Sequence, residues 1–221
     1  GGSIECTSGL GLTLSLSGNL TTSASTTITS AVLETLNVTT SGYVNLLGEM
    51  KAGYIRVQAL GMVLGAGATL NTDAQGYAEQ TGPGQSSSSI SFSNYCNSWD
   101  ESASAGGGAY GGDGGNSCQK WSCAQQYPAG GDAYGSATWP TDYGSGGGKA
   151  IYDRSVRSNT GGRGGGRVHV TVSQTLSVEG TITANGGSST QYDGARSGYD
   201  PCGGGGSGGS ILLEADTLEG S

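Results

Sequence analysis

Glycine occupies 45 of the 221 positions, against a usual share of about 7%, and much of it falls in two blocks. Between residues 105 and 167 there are 19 glycines, and Ile151 and Val156 are the only branched aliphatic residues. A stretch with so few side chains to bury cannot build a hydrophobic core of its own. It is either a flexible linker or a body held together through its backbone. The larger block, residues 74–167, carries Trp99, Trp121, Trp139, Phe92 and three of the five cysteines, residues that linkers rarely spend. A smaller glycine-rich block covers residues 186–209. We therefore expect an ordered, loop-rich lobe in which glycine backbones pack against aromatic rings and against each other. Collagen is excluded, because glycine does not recur at every third position.

Outside the blocks the chain reads as short strands. Leu12, Leu14 and Leu16 alternate with Thr13 and Ser15; Ile55, Val57 and Ala59 alternate with Arg56 and Gln58. A period of two puts one face inward and one outward. Ala31 to Leu36 is the best helical candidate, and a weak one. The turns at Gly18-Asn19, Gly42-Tyr43 and Gly67-Ala68 begin 24 and 25 residues apart, with a fourth at Gly180-Thr181. Ile55 to Asp73 matches Val168 to Asn185, and Ile211 restarts the pattern about 43 residues after Val168. Strands at such periods mark a solenoid, whose turns bury their inner faces only by stacking. Small inward residues (Ala, Val, Thr, Ser) are expected in its interior. Gly-Gly-Ser-Ile stands both at residues 1–4 and at 208–211, so we expect a single domain over 1–221 that is a fragment or one period of a longer array.

The net charge is −8 and charged residues make up only 12%. Without a basic stripe, nucleic acid is not an expected partner. No apolar run reaches the roughly 20 residues of a membrane helix, so membrane insertion is not expected either.

A zinc site would want paired Cys-x-x-Cys spacing and usually His. Here Cys118 and Cys123 stand apart from such a pattern, so disulfides and an oxidising compartment are expected. Cys96, Cys118, Cys123 and Cys202 are the disulfide candidates, stapling the glycine-rich insertions. Cys6 is left for an inter-subunit bridge or a free thiol. Asn19-Leu20-Thr21 and Asn37-Val38-Thr39 are N-glycosylation sequons, at or near expected turns.

Gly180-Thr181-Ile182-Thr183-Ala184-Asn185-Gly186-Gly187, a Gly/Ser tract, and Gly208-Gly209-Ser210-Ile211-Leu212-Leu213-Glu214-Ala215-Asp216-Thr217-Leu218 together resemble the glycine-rich β-helix repeats of large secreted and cell-surface proteins of protists and some bacteria. The resemblance covers mainly residues 55–221. It implies an extracellular, surface or fibre context and carries over no catalytic residue.

Chemistry is sparse. His169 alternates with Val168 and Val170 and should face outward, usually a plain surface position. Asp73, Asp113, Asp132, Asp142, Asp153 and Asp193 lie mostly in glycine-rich loops, where turn formation is the expected role, and no spacing picks out the carboxylate pair of a glycosidase. Calcium suits acidic glycine-rich solenoids, but Gly111-Gly112-Asp113-Gly114 does not fit the nonapeptide repeat; no metal or other cofactor is expected. Gly161 to Arg167 lacks the ending of a phosphate loop, and its Arg side chains are expected to face acidic groups. Thr27-Ile28-Thr29 and Thr181-Ile182-Thr183 are too few for an ice-binding ladder.

The reading is an all-β, right-handed parallel β-solenoid with a disulfide-stapled glycine-rich insertion. It is expected to be a secreted or cell-surface glycoprotein and a structural, non-enzymatic building block of a filament, appendage or coat. Its partners would be copies of itself or neighbouring repeats of the same chain, with glycans attached or bound. A carbohydrate-binding adhesin using Trp99, Trp121 and Trp139, and a polysaccharide lyase or hydrolase, are the alternatives.

Overall fold

The computed structural model describes residues 3–5, 11–86, 102–103, 105–117, 128–152, 157–190 and 203–220. The described part is all-β, and none of it forms a helix. The chain visits three sheets in turn. The first circuit is β1 (Ser3–Glu5), β2 (Leu12–Leu16) and β3 (Leu20–Thr21); the second is β4 (Thr27–Thr29), β5 (Thr35–Thr40) and β6 (Tyr43–Leu46). The third is β7 (Glu49–Lys51), β8 (Tyr54–Ala59) and β9 (Gly61–Leu64). The fourth starts with β10 (Thr69–Asn71) and leaves for the glycine-rich region. That region contains a small antiparallel sheet of β11 (Ser102–Ala103), β12 (Ala150–Tyr152) and β13 (Arg157–Asn159). The circuit then resumes with β14 (Arg167–Val172) and β15 (Thr175–Val178). The fifth is β16 (Thr181–Thr183), β17 (Ser210–Glu214) and β18 (Thr217–Gly220).

Each circuit pairs in parallel with the one before. The sheet orders are β1-β4-β7-β10-β16, β2-β5-β8-β14-β17 and β3-β6-β9-β15-β18. Three parallel sheets around one core are compatible with a parallel β-solenoid. Both glycine-rich excursions leave at the same corner, between the first and second sheets, in consecutive circuits.

Alternation and register together build the core. In the second sheet Leu36, Ile55 and Val168 stack in one inward row, and Val38, Val57 and Val170 in the next. The first sheet adds Ile28, Met50 and Leu70, and the third adds Val44, Met62 and Leu176. All are buried. The interior is therefore filled by Leu, Ile and Met together with the Val expected, rather than mainly by Ala, Thr and Ser. Small ones such as Thr22, Ala52, Ala68 and Thr72 are buried too, but outside the strands, where polar members close hydrogen bonds. Leu47 N–H donates to Thr22 Oγ1 (2.9 Å), and Thr72 Oγ1 donates to the Thr183 carbonyl (2.9 Å).

Two expectations are corrected. Ala31 to Leu36 is not helical: Leu33 has φ 61° in a corner turn and β5 begins at Thr35. Gly53 passes directly against this turn, where an added Cβ would meet Leu33 N at 2.4 Å. The four glycine turns are not one repeat. Gly18 and Gly42 precede strands of the third sheet, whereas Gly67 and Gly180 precede strands of the first. Stacking is set by the inward rows, and the corners between them differ in length.

Outside the small antiparallel sheet, the described parts of the glycine-rich region bond backbone to backbone in a geometry that is not that of a sheet. A strand in a sheet directs its N–H and C=O groups in one plane and so has at most two hydrogen-bonding neighbours. Segment 143–149 has four. Tyr77 N–H donates to Gly144 O (3.1 Å), Gly147 N–H to Gly162 O (2.9 Å), Gly204 N–H to Gly148 O (2.9 Å), and Gly148 N–H to Gly106 O (3.0 Å). Segment 203–209 likewise bonds to 105–109, 143–149, 160–166 and 184–190. The result is a three-dimensional bundle of extended glycine segments. Neighbours come so close that a Cβ at Gly164 would sit 1.7 Å from Gly144 O. Only glycine fits at such contacts, the constraint that also governs the collagen axis. Aromatic rings pack edge to face within the lobe: Tyr110 on Tyr134 (5.2 Å, 70°) and Tyr77 on Tyr143 (5.8 Å, 73°).

Candidate functional site

Two places stand out. The first is the end of the fifth circuit. Leu218 occupies an inward position, in register with Leu176, yet it is 63% exposed where Leu176 is 1% exposed. Ile211 is 39% exposed where its partner Val168 is 1% exposed. These strands also lie at the edges of their sheets, where backbone groups on one side are unpaired. At the opposite end Leu16, in register with buried Thr40, is itself exposed.

The second is the outer face of the second sheet. Alternation turns Tyr54, Arg167, His169, Thr171 and Glu214 outward, and parallel register brings them side by side. His169 Nε2 meets Glu214 Oε2 at 2.6 Å and Thr171 Oγ1 at 3.1 Å; Thr171 Oγ1 also donates to Glu214 Oε2 (3.0 Å). The Tyr54 hydroxyl lies 3.4 Å from His169 Nδ1. The hydrogen bonds from His169 and then Thr171 hold the Glu214 carboxyl below the usual glutamate range, against slight desolvation. A loop from the glycine lobe lies over this face. Ser210 Oγ donates to Asp142 O (2.8 Å), and the Arg167 guanidinium sits 4.2 Å from the Tyr54 ring centroid and 5.4 Å from that of Tyr143. The same loop carries Trp139, whose backbone N–H donates to Ser136 Oγ (3.0 Å). The Trp139 ring stands edge-on to His169 at 6.2 Å and is 53% exposed.

Beside this cluster, an open groove of about 460 Å³ follows the junction of the second and third sheets. Thr39, Gln58 and Thr171, register partners on successive circuits, line it with Ser41, Leu60 and Ser173.

Of the residues singled out in the sequence, Trp139 joins the cluster. Trp99, Trp121, Asp153, Asp193 and all five cysteines (Cys6, Cys96, Cys118, Cys123 and Cys202) lie outside the described residues. Asn19 is exposed at a turn, and its Oδ1 accepts from Tyr43 N–H (2.8 Å). Asn37 is not near a turn but within β5, facing outward. Asp73 and Asp113 tie distant segments together: Asp73 accepts from Asn185 N–H (2.6 Å) and Asp113 from Ala133 N–H (2.9 Å). Among the described residues, the Arg side chains of the 161–167 stretch meet no acid, contrary to expectation. Arg163 donates to the Gly76 carbonyl (3.0 Å), and Arg167 lies against the two tyrosines. Among the described residues no group of three or more His, Cys, Asp or Glu is placed to hold a metal ion. Sequence reading left out Tyr54, Arg167 and Glu214, whose only signal was outward register beside His169.

A part-buried hydrogen-bond network ties the lobe together. The Tyr134 hydroxyl donates to the Tyr143 carbonyl and accepts from Ser145 Oγ (2.9 Å), which itself accepts from Gly84 N–H (2.9 Å). Burial pushes the Tyr134 pKa up to about 12, with the Ser145 hydrogen bond opposing. An unfolded tyrosine ionises near 10. The stability from keeping this proton is thus complete below pH 10 and is lost as pH rises towards 12. Tyr134 is partly exposed, so solvent screening holds the loss to about 1 kcal/mol. Chemical denaturation between about pH 9 and 12 should show this decline, and Tyr134→Phe should lessen it, burial raising Tyr143 in the same direction.

No family model, curated protein or solved structure matches the chain.

Proposed function

We propose that the chain is a structural module that assembles end to end within an extracellular fibre, surface appendage or coat. The observation that carries this reading is the exposure of Leu218 and Ile211 at positions that every inner circuit buries. Burying a side chain of this size is worth about 1.5–3 kcal/mol, and the sheet edges beside it need hydrogen-bond partners. A further circuit stacked there offers both, from a neighbouring repeat of the same array or from a second copy, whose first circuit repeats the same three-sheet cross-section and presents Leu16. A head-to-tail contact of this kind does not close on itself and produces filaments.

The finer fold belongs to the same proposal: a right-handed parallel β-solenoid, with Cys96, Cys118, Cys123 and Cys202 as staples of the glycine lobe and Cys6 free for an inter-subunit bridge. Secretion and N-glycans at Asn19 and Asn37 are part of it. Electron microscopy with and without reductant tests the reading. Regular filaments support it, and monomers under both conditions overturn it.

A further inference from the structure

We infer that the groove beside the second sheet, with Trp139, His169 and Glu214 at one end, binds an extended β-1,4-linked glycan. The inference does not rest on end-to-end assembly. It begins with direction. Thr39, Gln58 and Thr171 are successive members of one outward row, followed in register by Glu214. The groove therefore crosses the strands, and its polar groups recur at the strand spacing of about 4.8 Å. That spacing is close to the length of one pyranose unit in an extended glycan, so each unit meets one hydroxyl or amide.

The lining has the chemistry of a sugar site. Ser41, Thr171 and Ser173 hydroxyls and the Gln58 amide can donate and accept, and Leu60 adds an apolar wall. Thr171 joins the groove to the His169–Glu214 pair at 3.1 Å and 3.0 Å. There Trp139 presents an exposed ring that can take the C–H face of a pyranose with equatorial hydroxyls. The glycine lobe supplies the tryptophan and the circuits supply the polar floor, so the site needs both parts of the fold.

A peptide fits the groove less well. Strand addition needs an unpaired sheet edge, and β5, β8 and β14 are all inner strands, paired on both sides.

Isothermal titration of the full chain with cellohexaose and β-1,4-mannohexaose tests the inference, with the coiled maltohexaose as shape control. The expected result is saturable binding of at least one β-1,4 hexaose and weaker binding of maltohexaose. Trp139→Ala should weaken it by about tenfold or more, and Gln58→Ala by a smaller factor. Circular dichroism confirms that the variants fold, since Trp139 is largely exposed. Leu218→Asp should bind as the parent does, which separates this result from the fate of the assembly reading. No saturable binding of either β-1,4 hexaose, tighter binding of maltohexaose, or undiminished binding by Trp139→Ala would overturn the inference.

Discussion

Leu218→Asp is expected to abolish self-association while leaving the monomer folded. Leu218 makes few contacts in the isolated chain, being 63% exposed, so the substitution costs the monomer little. In a stacked assembly the same position faces apolar neighbours, as Leu176 does one circuit below. A carboxylate there forfeits about 1.5–3 kcal/mol of burial and adds the cost of desolvating a charge. Association should weaken by more than about a hundredfold. Sedimentation velocity across a concentration series reads this directly. Ile211→Asp should behave alike. Val63→Asp is the control, because Val63 is 37% exposed, close to the 39% of Ile211, but faces outward on the side of the third sheet. Equal loss of association in Val63→Asp would mean that general stickiness, not the open end, drives contact. Unchanged association in Leu218→Asp would remove the end-to-end reading.

Gly164→Ala should be the most damaging single methyl in the molecule. The new Cβ would fall 1.7 Å from Gly144 O and 2.1 Å from Gly144 C, both backbone atoms with no rotamer to yield. Segments 143–149 and 160–166 must part. That strains the bonds from Gly144 N–H to Gly165 O, from Gly164 N–H to Tyr77 O, and from Gly76 N–H to Gly164 O. Overpacking costs about 1–3 kcal/mol, and each buried hydrogen bond left unmade adds about 1–3 kcal/mol. The expected loss is therefore several kcal/mol, enough to unfold the lobe. Gly115→Ala, with nothing within 4 Å of its Cβ, should be nearly neutral. Limited proteolysis separates the two outcomes: cleavage within residues 105–149 in the first variant, and the parental pattern in the second. Equal resistance in both would mean that the bundle does not pack as described.

The strands were legible in the sequence because one face of each is buried. Leu12-Leu14-Leu16, Ile55-Val57-Ala59 and Val168-Val170-Val172 share one sheet, and the repeat spacing between the last of these and Ile211 is their stacking register. The turns misled because a glycine marks a bend without saying which sheet follows. Order in the glycine lobe could be argued from its aromatic residues. Its geometry could not, since backbone-to-backbone bonding leaves no side-chain period to read. The site was legible only as Trp139 and as a lone outward His169. Tyr54 stands 115 residues from that histidine and Glu214 stands 45 away, and nothing local ties them together until the register is known.

Among the described residues, none of the glycine-lobe segments contributes to the hydrophobic core, whose members all come from the circuits. Exposure of apolar surface is what gives unfolding its large positive heat capacity. The circuits should therefore follow the usual domed stability curve and weaken on cooling as the hydrophobic driving force fades. The lobe, held mainly by amide-to-carbonyl bonds, should have a much flatter curve. One chain thus joins two materials of unequal thermal response, and in the cold it is the leucine-filled circuits, not the glycine, that set the limit of the fold.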